Sequence, residues 1–102
     1  MSDLQPLFAA LADPTRRAVF ERLTAGGPAS ASRLAAELPV SRQAIAKHLA
    51  TLDEAGLVER ATVGREVQYS ARPAALSDVT SWVDRVGTAW DTRLSRLKQT
   101  LE

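Results

Sequence analysis

Hydrophobic spacing divides the chain into segments. Leu4, Leu7, Phe8 and Leu11 share one helical face, and Pro6 is harmless in a first turn, where backbone N–H groups have no intrahelical partner. A short amphipathic helix is predicted over about residues 3–12. In "DPTRRAVFERLTAGG", Asp13 is suited to cap a second helix, with Pro14 at its first position, Ala18, Val19 and Leu23 inward, and Gly26-Gly27 as its stop. Ser30 opens a third, "ASRLAAEL", which must end by Leu38 because Pro39 disfavours helical backbone before it.

Only Pro39 and Val40 then precede another helix, over residues 41–55. Ser41 is its N-cap, Val40 and Ile45 are placed to staple its start, and Gly56 supplies a left-handed stop with Leu57 packing back. Two helices joined this tightly form a helix-turn-helix. Beyond Gly56 the period changes to two, with Val67, Tyr69 and Ala71 on one face and Glu66, Gln68 and Ser70 on the other. This predicts a two-stranded hairpin over residues 58–71 with Gly64-Arg65 at its tip. From Leu76 the apolar positions run Val79, Val83, Val86, Trp90, Leu94, Leu97 and Leu101, nearly a heptad seam along one long helix.

The predicted fold is mainly α: about five helices, with a hairpin wing between the helix over 41–55 and the last helix, a winged helix-turn-helix. At 102 residues, one domain accounts for residues 1–102. With no cysteine, disulfides and thiolate metal sites are excluded. No apolar run approaches the roughly 20 residues that span a bilayer, and the start lacks a basic leader, so a cytoplasmic protein without a membrane partner is expected. Net charge is only +1, so placement matters more than quantity. Between Val40 and Leu52 the only formal charges are Arg42 and Lys47, and Asp53, Glu54 and Glu59 come later.

Opposite the inward stripe of Ile45, Leu49 and Leu52, the helix over 41–55 presents Gln43, Ala46, Lys47, Ala50 and Glu54, with Ala44 and His48 on a flank. A helix entering a major groove needs hydrogen-bonding groups near its N-terminus, small residues where backbones approach, and acids held back. This face satisfies all three conditions. Gln43 suits an adenine edge, Arg42 a guanine edge or a phosphate, and Ser41 and Lys47 phosphates. The competing reading is a solvated face whose alanines serve helix propensity. The wing tilts the balance toward DNA, with Arg65 at its tip and Arg60 at its base. His48, the one histidine, is expected to pack or to lie beside a phosphate, and Trp82 and Trp90 to pack in a core or interface. No nucleophile and base pair or phosphate loop stands out, so no enzyme is expected.

Together "LADPTRRAVFERL", "LPVSRQAIAKHLATLDEAGLVE" and "GREVQYSA" resemble the ArsR/SmtB family of bacterial winged-helix repressors, over roughly the first 75 residues. The tail "WDTRLSRLKQTLE" looks like a subgroup without known metal chemistry. The resemblance implies a homodimer joined through its first and last helices, presenting two recognition helices to a palindromic operator. It carries DNA contacts to Ser41, Arg42, Gln43, Ala44, Lys47 and His48, and a wing contact to Arg65. On this chain the interface falls to Leu4, Phe8, Val79, Val83, Val86, Trp90, Leu94 and Leu97 in helices at about 3–12 and 74–102. Ala46 stands where many relatives have serine, which removes a hydroxyl. The family's metal sensors use cysteines, or Asp and His pairs, and this chain has no thiol and no histidine on its last helix, so neither metal nor cofactor is expected.

Dimerisation also follows without the resemblance, because residues 76–102 would extend about 40 Å as a helix, longer than a small core can cover. Gly87 inside it costs about 1 kcal/mol relative to alanine, which close crossing of two helices or a simple kink would explain. The expected function is a homodimeric repressor that binds double-stranded operator DNA. The alternative is a winged-helix protein-interaction module, which would need an aromatic or aliphatic anchor that Gln43, Ala46, Lys47 and Ala50 do not offer. An effector, if one exists, is expected to be a small apolar molecule between the terminal helices near Trp82 and Trp90.

Overall fold

Local capping chemistry sets where the helices begin. The computed structural model describes residues 3–101, in the order α1 (Gln5–Ala12), α2 (Pro14–Gly26), β1 (Ala29–Ser30), α3 (Ala31–Glu37), α4 (Arg42–Glu54), β2 (Val58–Val63), β3 (Glu66–Ala71) and α5 (Pro73–Leu101). Residues 1, 2 and 102 of the expected domain, and the Leu101 side chain that ends the expected stripe, lie outside the described residues. The Asp13 carboxylate accepts the Arg16 N–H at 2.8 Å, and the Ser30 and Ser41 hydroxyls accept from Arg33 and Ala44 at 3.1 Å. Each thereby satisfies a first-turn donor that the helix itself leaves unpaired. Only α1 departs from the expected start: it begins at Gln5, and Leu4 precedes it without a side-chain cap.

The end of α4 is a Schellman turn. Gly56, at φ +78°, donates to the Asp53 carbonyl at 3.0 Å, and Leu57 donates to the Leu52 carbonyl at 2.9 Å. The turn carries the Leu57 side chain into the core, where it is fully buried. Val40 and Ile45, at the other end, pack in that same core, as a staple requires.

The wing is the expected hairpin, with Val63 opposite Glu66 and Val58 opposite Ala71. Gly64 takes φ +63° and Arg65 does not need a positive φ, the pattern of a tight two-residue turn opening on glycine. A third strand was not foreseen. Ala29 pairs with Tyr69 and Ser30 with Gln68, giving the sheet order β1-β3-β2. Two residues are too few to show alternation, so tertiary pairing alone creates β1. Its consequence is that the start of α3 is stitched to the wing.

Val19, Leu23, Leu34, Ile45, Leu49, Leu52, Leu57 and Val58 build the core. Phe20 is buried with them, whereas Ala18, read from the sequence as inward, is only half-buried and lines a shallow cleft with Leu38, Pro39 and Val40. Helix α5 is different. Ala75 and Val79 pack on the core, but every residue from Thr80 to Thr100 is exposed. The molecule measures 65 × 27 × 21 Å with a radius of gyration of 17.9 Å, against about 13 Å for a compact chain of this length. Most of α5 therefore projects beyond the domain.

Candidate nucleic-acid interface

The three apolar residues of α4 point one way, which determines what the helix offers outside. Ile45, Leu49 and Leu52 are buried, Ser41, Arg42, Gln43, Ala46, Lys47 and Ala50 are exposed, and Ala44 and His48 are half-buried on the flank. Asp53 and Glu54 are confined to the last turn. The exposed N-terminal face is thus cationic and amide-bearing, with small side chains between its longer ones.

A groove of about 510 Å³ runs beside this face. Arg42, Gln43 and Ala46 form one wall, Arg65, Glu66, Val67 and Tyr69 of the wing the other, and Ser30, Ala31 and Ser32 close one side. The structure thus brings Arg42, Gln43 and Arg65 together. Ser41, Ala44, Lys47, His48 and Arg60 are not among the lining residues. Lys47 stands exposed one turn along α4, and Arg60 is exposed on β2 opposite Tyr69. Ser41 keeps its hydroxyl proton for an outside acceptor, because its oxygen serves only as acceptor in the cap.

His48 is half-buried on the flank of α4. The Asp13 carboxyl is held below the ordinary aspartate range, first by the Arg16 backbone N–H that it accepts and further by the nearby charges of His48 and Arg16. Ser30, Glu66 and Tyr69, read from the sequence only as cap and strand residues, line the groove too, as does Ser32. The approach of Ser30 and Ser32 to the wing depends on β1 pairing with β3, which no local pattern announces.

Electrostatics separates two kinds of arginine. Arg22 and Arg33 both bond Glu37, whose carboxyl is held below the usual glutamate range by the Arg22 hydrogen bond and then by that of Arg33. Arg72 approaches Glu59 at 4.0 Å. Among the described residues, Arg42, Lys47, Arg60 and Arg65 have no carboxylate partner. They remain free for an external anion, and Glu66 is the one acid on the groove wall. No group of three or more His, Cys, Asp or Glu residues with a metal-holding arrangement occurs among the described residues. Nor is any described helix long and apolar enough to cross a membrane.

A family described as a helix-turn-helix domain matches residues 11–61. The HTH-type transcriptional regulator Rv2034 of Mycobacterium tuberculosis is 44% identical over 79 residues, 78% of this chain and 73% of that protein. Transcriptional repressor SdpR of Bacillus subtilis is 31% identical over 77 residues, covering 76% and 84%. Among solved structures, an ArsR-like transcriptional regulator from Rhodococcus sp. RHA1 superposes with a TM-score of 0.86 at 48% identity, covering 97% of this chain and 92% of that one.

Proposed function

The chain belongs to the ArsR family of winged helix-turn-helix transcriptional regulators, and we propose that it works in the cytoplasm as a homodimeric repressor of a palindromic operator. One observation carries the DNA-reading part: Arg42 and Gln43 of α4 and Arg65 of the wing flank a single groove. In this reading α4 enters the major groove, Gln43 and Arg42 meet base edges, and Ser41 and Lys47 hold phosphates. Ala44 and Ala46 let the helix backbone approach the bases, His48 lies on the phosphate side, and Arg65 and Arg60 of the wing grip the adjacent backbone.

The dimer part rests on α5. Val83, Trp90, Leu94 and Leu97 are each at least half-exposed (50%, 56%, 54% and 56%), and Val86 is 39% exposed, all on one stripe. Soluble monomers rarely leave so long an apolar face open. Covering these side chains gains on the order of 1 kcal/mol each, and a second copy presenting the same stripe is the simplest cover. A Cβ placed at Gly87 meets nothing within the chain, so its own packing does not require a glycine, whereas close approach of a partner helix would. Phe8 of α1, set against Trp82, and Leu4 just before α1 are assigned to the same face. Any effector is assigned to the same region, as a small apolar ligand beside Trp82 and Trp90.

A mobility-shift titration with the promoter upstream of the protein's own gene, run against random-sequence competitor, tests the reading. A discrete complex that survives competitor and weakens steeply with salt is expected. Equal affinity for promoter and competitor would argue for a different role.

A further inference from the structure

The Asp13-Pro14-Thr15-Arg16 corner has no part in the DNA contacts, yet it joins the helix of the proposed dimer face to the helix pair that holds α4. Helix α1 has only eight residues, and a helix end leaves its last carbonyls without intrahelical partners. Arg16 reaches back across the corner to supply two of them. Its Nε donates to the Ala10 carbonyl and its Nη2 to the Ala9 carbonyl at 3.2 Å. Its own backbone N–H is fixed by the Asp13 carboxylate, so the guanidinium is anchored at the root and gripped at the tip.

Three elements meet at this residue. Arg16 lines a cleft with Pro6, Ala9 and Ala10 of α1 and with Thr51, Glu54 and Ala55 at the end of α4. Helix α1 also sends Leu7 and Ala10 into the core and sets Phe8 against the Trp82 ring of α5. We propose that Arg16 is a positioning residue, whose two-pronged grip on the carbonyl end of α1 fixes the α1–α5 dimer face relative to recognition helix α4. The planar guanidinium suits this task because its N–H groups form a rigid fork, which a lysine ammonium does not. Arg17, its neighbour, is exposed and forms no ion pair or side-chain hydrogen bond among the described residues, which makes it the natural control.

The inference rests on the dimer reading for its consequence, since the angle between α1 and α4 would set how far apart two recognition helices stand. Its structural half is independent of that reading. The test compares full-length wild type, Arg16→Met and Arg17→Met by amide hydrogen exchange and by sedimentation equilibrium. In Arg16→Met, exchange over residues 5–12 should rise on the order of tenfold or more while exchange over residues 42–54 stays at the wild-type rate. The dimer dissociation constant should rise with it, and Arg17→Met should match wild type in both. Unchanged exchange over residues 5–12 overturns the proposal, and so does an equal rise over 5–12 and 42–54, which would mark general destabilisation. If Arg16→Met fails to fold, Arg16→Lys keeps the charge without the fork and is judged by the same two outcomes. A wild type that sediments as a monomer would remove the dimer reading while leaving the exchange result to decide the role of Arg16 within the protomer.

Discussion

The ring of Phe8 meets that of Trp82 edge to face, with centroids 5.2 Å apart and planes inclined at 63°. The contact lies where α5 leaves the domain: Val79 still packs on the core, and Val83 is half-exposed. It therefore seats the long helix on α1, the short helix held by Arg16. Phe8→Ala should destabilise the fold by about 2 kcal/mol, combining a lost aromatic pair with lost partial burial. Measured in a Trp90→Phe background, Trp82 emission should shift to the red as its ring gains water. An unshifted spectrum would show that Phe8 does not shield it.

Val86→Asp and Leu94→Asp place a charge on the open stripe without touching the core, since both positions are exposed in the single chain. Each variant should keep its helical circular dichroism and sediment as a monomer. Promoter binding should weaken along with dimerisation, because one wing and one recognition helix remain per particle. A variant that stays dimeric at micromolar concentration would place the interface elsewhere.

Gln43 and Lys47 should fail in different ways. Gln43→Ala should lose about 1 to 3 kcal/mol of preference for the specific site over random DNA, with little change in the random complex. Lys47→Ala should weaken both equally and reduce the salt dependence by roughly one ion. Competition titrations at several salt concentrations separate the two, and equal losses on both DNAs for Gln43→Ala would deny it a reading role.

Glu37 provides a pH test. Its carboxyl is depressed below the ordinary glutamate value by Arg22 and then Arg33, so the folded state binds its proton less readily than the unfolded chain. Its contribution to stability is therefore present above the unfolded glutamate pKa and is lost as pH falls through the folded value. Thermal unfolding of Glu37→Gln should lie below wild type at neutral pH, and the gap should close on acidification beneath the usual glutamate range. A gap that is constant with pH would mean that the charge has no part in it. The ion pairs are partly exposed, so salt should shrink the effect.

Much of this architecture was legible because it is written in local chemistry. Asp13, Ser30 and Ser41 cap helices where the sequence placed them, and Gly56 with Leu57 closes α4 as expected. Gly64-Arg65 turns the wing. The remaining features are tertiary. The two residues of β1 carry no periodic signal, so neither the third strand nor the approach of Ser30 and Ser32 to the wing was foreseen. The grip of Arg16 on α1 was missed for the same reason: an arginine in a first turn reads as solvated until the preceding helix folds back beside it. Phe20, which the helical period alone did not select, is buried with Val19 and Leu23.

Whether a symmetric dimer reads DNA through α4 and the wing can be tested by selecting binding sites for the wild-type protein from a random duplex pool. Enrichment of an inverted repeat whose half-sites are centred about one helical turn apart is expected, and it should be lost when the Gln43→Ala protein is used. A pool that stays random, or one that converges on a single non-repeated half-site, would contradict this reading.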